Sequence, residues 1–186
     1  MYARLKFASK QAIFDDYDYF KKKYPKHASK VGEEPNGTIL GNNMLNVGGK
    51  DMRKAVGKEK VISRRTNTEQ SRVVCEAHHI VAGKSQAAKR ARDILECCGI
   101  GINDARNGIW LPTSQKSIFK GWLHGRHKTS YDEEVLRLLE EMHNQHGCSE
   151  KHCMEVLNYV KSALLKGDKN FQLIDKPNNT VINALY

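Results

Sequence analysis

The spacing of apolar and polar positions predicts short helices joined by loops in the first part of the chain. Residues 8–24 carry apolar and aromatic side chains at helical spacing, and Pro25 follows directly after them. Residues 32–50 are rich in Gly and Asn and contain only a few apolar positions. We therefore predict an amphipathic helix over 8–24 and a loop over 32–50.

The middle and the last part of the chain predict two short strands and four further helices. Val73–Cys75 and Ile109–Leu111 are short, mainly β-branched or aromatic runs, and Asn107–Gly108 is a turn signal before the second. Ser130 and Glu133 have the spacing of a capping box at a helix start. The predicted helices cover Ser85–Cys98, Pro112–Trp122, Ser130–His146 and Glu150–Lys166, and Gly99, Gly147 and Gly167 end three of them. The pattern as a whole predicts an α+β fold that is mostly helical.

Charge favours a polyanionic partner. The chain of 186 residues has 31 Lys and Arg against 21 Asp and Glu, which gives a formal net charge of +10. Neutralising phosphates releases condensed counterions, so a basic surface favours nucleic acid. Basic residues between Lys50 and Arg65 and between Lys116 and Lys128 bracket the histidine motifs. The residues that we predict to bind the phosphate backbone are Lys84, Lys89, Arg90, Lys116, Lys120, Arg126 and Lys128.

Other compositional features concern the compartment. No stretch reaches the roughly 20 apolar residues of a membrane span, and the N-terminus lacks the apolar region of a signal peptide. The five cysteines are an odd number without the spacing of a disulfide framework. We predict that all five are reduced thiols, as in a cytosol.

Two adjacent histidines, His78 and His79, lie at the end of the first predicted strand. Successive side chains of a strand point to opposite sides, so both cannot face one metal ion. Phosphodiester hydrolysis needs a cation that stabilises charge and a base that activates water. The pair therefore predicts one metal ligand and one residue that faces the attacking water.

Further polar residues downstream can complete such a site. Asn107 can hydrogen-bond an imidazole and fix its tautomer. His124 and His127 are spaced i, i+3, so on a helical turn they share a face and can close the metal site. Which of the two is the direct ligand stays open.

Three ordered motifs resemble the AHH family of HNH/endonuclease VII nucleases. They are Ala77-His78-His79-Ile80-Val81, Gly101-Ile102-Asn103-Asp104-Ala105-x-Asn107-Gly108-x-x-Leu111-Pro112, and Leu123-His124-Gly125-Arg126-His127-x-x-x-Tyr131. Leu40-Gly41-x-x-Met44 and Gly48 also resemble the lead-in of that family, so the resemblance covers roughly residues 38–140.

The resemblance implies a ββα-metal finger and cleavage of nucleic acid that depends on a divalent metal ion. It implies that His78 is a metal ligand and His79 the general base, and that Asn107 takes the asparagine position of the HNH motif, orienting the base or touching the metal. The domains expected are a helical extension over 1–37, the nuclease over 38–147, and a C-terminal helix and tail over 148–186. The interval from Asn107 to His124 is longer than in many HNH fingers, which predicts an extra helix between them.

The expected reaction is hydrolysis of DNA, with RNA open, by one bound Zn, Ni, Mn or Mg ion. The family also implies a toxin domain of a bacterial secreted effector, which is exported without a signal peptide, acts in the target-cell cytoplasm and is blocked by an acidic immunity protein. Alternatives are a non-catalytic nucleic-acid-binding module and a phage or restriction-type HNH nuclease. A nucleobase deaminase is disfavoured because Cys97-Cys98 lacks the Pro-Cys-x-x-Cys pattern.

A second group of side chains has the chemistry of zinc ligands. It consists of His143, His146, Cys148, His152 and Cys153, at two predicted helix ends and the turn between them. Ordinary helix faces around Gly147 explain the same residues without a metal ion. Both interpretations stay open at the level of sequence.

Overall fold

The computed structural model describes residues 31–55, 58–62, 69–73, 75–113 and 121–173. Its elements in chain order are α1 (Gly37–Ala55), β1 (Lys58–Ile62), β2 (Glu69–Val73), β3 (Cys75–His79), α2 (Lys89–Cys97), a 3₁₀ turn (Ala105–Asn107), β4 (Gly108–Pro112), α3 (Thr129–His146), α4 (Glu150–Lys166) and a second 3₁₀ turn (Lys169–Phe171). The predicted α+β class is confirmed over these residues.

The strands form two antiparallel pairs. β1 pairs with β2, and β3 pairs with β4 with Cys75 opposite Pro112 and His79 opposite Gly108. The two histidines are the last two residues of β3, at the end of a strand as predicted, although the strand begins at Cys75 and Val73 belongs to β2. β4 contains the predicted strand Ile109–Leu111.

The prediction of a loop over 32–50 is wrong, because α1 begins at Gly37. Asn36 caps this helix: its Oδ1 accepts hydrogen bonds from the N–H groups of Thr38 and Ile39 at 2.9 and 3.1 Å. Leu40 and Met44 are fully buried on one face, one helical turn apart. The N-cap and the buried apolar face outweigh the low helix propensity of Gly and Asn, so the segment is helical.

Two glycines lie at the contact between α1 and the β3–β4 sheet. A Cβ atom at Gly41 would lie 3.4 Å from the Cβ of Ala77, and one at Gly108 would meet Leu40 at 2.9 Å and overlap Met44. The contact at Gly41 would be an ordinary one, so it is the missing side chain of Gly108 in β4 that lets the helix lie directly on the sheet.

The three helices after β3 form the main core together with the sheet, and their starts agree with the prediction only in part. α4 has the predicted bounds and begins at its cap Ser149, whose side chain accepts from the N–H of His152. α3 begins at Thr129 with Lys128 at the N-cap position and no side-chain cap, so the capping box predicted at Ser130 and Glu133 is not formed. α2 begins at Lys89, four residues after the predicted start.

A buried arginine ties the turn before β4 to α4. Arg106 is 2% exposed and donates from Nε and Nη2 to Asp104 at 2.9 and 2.6 Å, and it also pairs with Glu150 at the start of α4. Burial alone lowers the pKa of an arginine, but the two carboxylates outweigh it and raise the pKa of Arg106 above its usual range. The ion pairs fix the 3₁₀ turn and hence the start of β4.

Two predicted helices, over 8–24 and Pro112–Trp122, fall mainly outside the described residues. The predicted division into 1–37, 38–147 and 148–186 stays a prediction. No helix within the described ranges is both long and apolar enough for a membrane crossing.

Candidate active site and metal centre

The adjacent histidines of β3 face opposite sides of the strand. His78 is 3% exposed, and its neighbour His79 is half-buried. Glu76 shares the side of His78, whereas Ala77 shares the side of His79 and packs toward α1. The separation of roles that the sequence predicted for the two imidazoles therefore has a geometric basis.

His78 lies against the two histidines that follow β4 in the chain. Its ring centroid is 4.5 Å from that of His127, with the planes 28° apart, and 5.3 Å from that of His124 in an edge-on arrangement. His124 and His127 lie in a loop and not on the expected helical turn. The structure thus brings the three predicted metal ligands together, although the local conformation that presents them differs from the prediction.

A carboxylate contacts each of the two loop histidines. The Nδ1 atom of His124 is 3.2 Å from Oε2 of Glu76, and that of His127 is 2.9 Å from Oδ1 of the buried Asp132. An Nδ1–H that donates to a carboxylate leaves the lone pair on Nε2, and a carboxylate partner orients a ligating imidazole in the same way. The His127 ring is therefore prepared to bind a cation through Nε2, whereas the His124 ring also donates a hydrogen bond to the backbone of Ala77.

The protonation states also suit a cation. The pKa of His78 is held well below its usual value by burial and by the nearby rings of His127, His124 and His79. Burial likewise lowers the pKa of His124, although Glu76 opposes this effect. Neutral imidazoles are the form that binds a metal ion.

One buried nitrogen of the cluster lacks a hydrogen-bond partner among the described side chains. The Nε2 atom of His78 is buried and has no hydrogen-bond partner among the described residues. An unsatisfied buried polar atom costs about 1–3 kcal/mol, which a bound ion would offset. The three histidines thus fit a divalent metal ion, and either His124 or His127 can form the pair with His78. The ligand atoms of the three histidines do not all lie within 4.8 Å of one another, so closing all three on one ion needs side-chain movement.

His79 is held by an amide that the sequence reasoning did not assign. Its Nε2 is 3.2 Å from Oδ1 of Asn103, which is fully buried. The same Oδ1 accepts from the N–H of Asn36 at 2.7 Å, and the Asn103 Nδ2 donates to the carbonyl of Glu34 at 2.8 Å. These partners fix which end of the amide faces His79, because only an oxygen can accept the Asn36 N–H.

The tautomer of His79 follows from this contact. An amide oxygen can only accept, so Nε2 of His79 carries the proton and Nδ1 holds the lone pair. Burial lowers the pKa of His79, and the hydrogen bond that His79 donates to Asn103 partly opposes the shift. A neutral imidazole with a free Nδ1 is suited to take a proton from water.

Asn107 has different partners from those expected. Its Oδ1 accepts from the N–H of Val81 at 3.0 Å, its Nδ2 donates to the carbonyl of Ile102 at 2.9 Å, and its carbonyl accepts from the N–H of Ile80. The amide therefore holds the chain that leaves β3, and the expected hydrogen bond to an imidazole is made by Asn103 instead. Asn103 lies inside the quoted family motif, but nothing in the sequence distinguished its role from that of Asn107.

An open cleft of about 550 Å³ gives access to the histidines. It is lined by Asn36, Gly37, Thr38, Glu76, Ala77, His78, His79, Ala82, Gly83, His124, Gly125 and His127. Lys84 and Arg126 are exposed and directly follow two of these lining residues in the chain.

The remaining predicted phosphate-gripping residues differ in their surroundings. Lys89 is 4.0 Å from Asp93, and Arg90 is 4.0 Å from Glu140, so each has a carboxylate partner on a helix. Lys128 precedes α3, and Lys116 and Lys120 lie outside the described residues. Among the predicted cations, Lys84 and Arg126 are those with the clearest relation to the cleft.

The prediction that all cysteines are reduced thiols is wrong for two of them. A disulfide joins Cys97 at the end of α2 to Cys148 in the turn between α3 and α4, with their Cα atoms 5.3 Å apart. Cys75, Cys98 and Cys153 are free and buried. The spacing of the cysteines gave no signal for this pairing, because the residues lie 51 positions apart and meet only through the packing of three helices.

Part of the second predicted cluster assembles around this disulfide. The ligand atoms of Cys97, His143 and Cys148 all lie within 4.8 Å of one another. The rings of His146 and His152 stack on each other instead, with their centroids 3.8 Å apart. The thiol of Cys153 is hydrogen-bonded to the thiol of Cys98. The structure therefore brings together two of the five residues singled out and adds Cys97 to them.

Comparison with known proteins agrees with the geometry of the site. Searches of curated proteins and of solved structures gave no significant match. Residues 60–164 match the model of AHH, a nuclease family of the HNH/ENDO VII superfamily with conserved AHH, and Ala77, His78 and His79 are that tripeptide. The matched segment spans more than half of the chain and contains β3 and the two loops that line the cleft, whereas Asn36, Gly37 and Thr38 lie outside it. The chain therefore belongs to the AHH nuclease family of the HNH/ENDO VII superfamily.

Proposed function

We propose that this nuclease is an endonuclease that hydrolyses DNA phosphodiester bonds with the help of one divalent metal ion. The observation that carries the proposal is that the two adjacent histidines of β3 have different surroundings. His78 lies in a cluster with His124 and His127, while His79 presents a differently oriented imidazole with a free Nδ1. The two β3–β4 strands and a helix after them would then act as the ββα-metal core.

His78 together with His124 or His127 would hold the ion. Histidine ligands suit zinc, nickel or manganese, and magnesium is compatible if water fills most positions. A bound ion would stabilise the negative charge of the pentavalent phosphorus and of the departing oxygen. Glu76 and Asp132 would keep the two loop imidazoles in the ligating orientation.

His79 would act as the general base. Its Nδ1 accepts a proton from a water molecule, the water oxygen forms a bond to phosphorus, and the bond from phosphorus to the 3′ oxygen breaks. Asn103 acts as a positioning residue, because its Oδ1 fixes the Nε2–H tautomer that leaves Nδ1 free. Asn107 would support the same site, because its side-chain amide accepts from the N–H of Val81 and its main-chain carbonyl accepts from that of Ile80.

The basic charge supports a nucleic-acid substrate bound through its backbone. The chain carries a net charge of +10, and Lys84 and Arg126 follow cleft-lining residues. Contacts to phosphate position a duplex but carry no sequence information. We therefore propose cleavage with little sequence specificity.

A plasmid-nicking assay tests the proposal. Supercoiled DNA and a structured RNA are incubated with the full chain, with chelator and with individual divalent metals added back. We expect metal-dependent nicking of the plasmid, and we expect His79→Ala to bind DNA without cutting it. His146→Ala, an exposed histidine on α3, is the matched control and should cut normally.

Two outcomes would point elsewhere. Binding without cleavage by the unmodified chain under every metal would leave a non-catalytic binding module. Cleavage of the RNA alone would change the substrate class.

We further propose that the chain is the toxin domain of a bacterial effector and acts in the cytoplasm of a target cell. The support is the resemblance to a family in which this role is frequent, together with the basic charge that an acidic immunity protein would complement. Induced expression in a bacterial host should stop growth and degrade DNA, and His79→Ala should be harmless. An immunity partner that binds a remote face and leaves the cleft open would refute inhibition by blockage.

A further inference from the structure

A second group of ligand atoms lies on a different part of the molecule from the cleft. Cys97 is the last residue of α2, His143 is in the last turn of α3, and Cys148 follows Gly147 in the turn before α4. Their Sγ and ring nitrogen atoms all lie within 4.8 Å of one another. None of the three lines the cleft.

The disulfide does not explain the histidine of this group. The Nδ1 atom of His143 is buried, and it has no hydrogen-bond partner in the part of the chain that the structure describes. A disulfide offers this nitrogen neither a good donor nor a charge. A cation bound between the two sulfurs and Nδ1 would satisfy it.

We propose that the reduced side chains of Cys97 and Cys148 bind a zinc ion together with His143. Zinc–sulfur contacts of about 2.3 Å and zinc–nitrogen contacts of about 2.0 Å place tetrahedral ligand atoms about 3.5–3.8 Å apart, which small side-chain rotations reach from the observed positions. Thiolates and imidazole select zinc over magnesium or calcium. Water fills the fourth position.

The site would be structural. Its ligands come from the end of α2 and from the two sides of the α3–α4 turn, so zinc in the reduced protein links the same segments that the disulfide links in the oxidised protein. The two states exclude each other, because sulfurs bonded to each other are not thiolates. The inference concerns a site apart from the cleft and does not depend on the proposed nuclease function.

The redox step needs a reductant, and a phosphine is suitable in vitro. The phosphine gives two electrons to the S–S bond, which breaks, and a water molecule supplies the oxygen of the phosphine oxide and the two thiol protons. Binding of the cation then releases those protons to the buffer.

Cobalt(II) in place of zinc gives a readout that the cleft histidines cannot produce. Thiolate bound to cobalt gives a sulfur-to-metal charge-transfer absorption, whereas imidazole does not. We expect about one equivalent of cobalt to develop this absorption in the full chain after phosphine treatment, with zinc displacing it, and no such absorption in the oxidised chain.

Variants assign the ligands. Cys97→Ser and Cys148→Ser should lose the charge-transfer absorption, and His143→Ala should bind cobalt at least about tenfold more weakly, as expected for loss of a ligand. His146→Ala, one turn further along α3, should bind like the parent chain.

Absence of the absorption in the reduced parent chain would overturn the proposal, as would unchanged cobalt affinity in His143→Ala. If a cysteine variant fails to fold by circular dichroism, the oxidised and reduced forms of the parent chain, which share one sequence, still decide the question.

Discussion

At the scale of single residues, the site depends on which nitrogen of each imidazole carries a proton. A carboxylate on Nδ1 leaves Nε2 of His127 free, whereas an amide on Nε2 leaves Nδ1 of His79 free. The histidines themselves could be predicted from their order in the sequence. Asn103 could not, because its role arises from three hydrogen bonds to residues 24 to 69 positions away.

Asn103→Ala tests the positioning of the base. Loss of Oδ1 frees the His79 ring to rotate and to change tautomer, so we expect kcat to fall by about 10- to 100-fold with little change in KM. Asn43→Ala is a matched control, since the Asn43 side chain donates to the carbonyl of Asn103 and leaves its amide in place. Steady-state cleavage kinetics measure both variants, and equal kcat values in the two would contradict the assigned role.

At the scale of elements, sequence patterns predicted helix bounds correctly where a helix has one apolar face and a glycine directly after its end. α4 and the end of α3 at Gly147 are examples. They failed where tertiary packing decides: α1 contains several glycines, yet burial of Leu40 and Met44 against the sheet makes it a helix. The loop that carries His124 and His127 has helical spacing but is not helical, because its conformation is set by contacts with β3 and α3.

Gly108→Ala tests the close approach of α1 to the sheet. A Cβ atom there would meet the side chains of Leu40 and Met44, so we expect the free energy of unfolding to fall by about 1–3 kcal/mol. Gly37→Ala is the control: its Cβ meets nothing within 4 Å at the first position of the same helix, and it should not destabilise the chain. Urea unfolding followed by circular dichroism compares the two, and a Gly108→Ala chain as stable as the parent would refute the packing argument.

At the scale of the whole molecule, charge and shape point to the same surface. The net charge of +10 was evident from the sequence. Only the fold shows which basic side chains lie near the cleft and which have a carboxylate partner. The disulfide was also beyond the sequence, since Cys97 and Cys148 meet only when α2 packs against the α3–α4 turn.

Salt dependence of DNA binding tests the role of this surface. Each phosphate contact contributes about 0.9 to the slope of log K against log salt, so Lys84→Ala and Arg126→Ala should each reduce that slope by about 0.9. Lys89→Ala should reduce it less, because Lys89 already faces Asp93. Fluorescence anisotropy with a labelled duplex and His79→Ala as the non-cleaving background measures the slopes. Equal slopes for all three variants would contradict a binding surface centred on the cleft.

A metal titration of plasmid cleavage by the parent chain, His78→Ala and His79→Ala tests the central claim most directly. If His78 binds the ion and His79 takes the proton, His78→Ala regains part of its activity at higher metal concentration, whereas His79→Ala stays inactive even at saturation. The parent chain should lose cleavage in chelator. Full activity of the parent chain in chelator, or recovery of His79→Ala by added metal, would contradict the account.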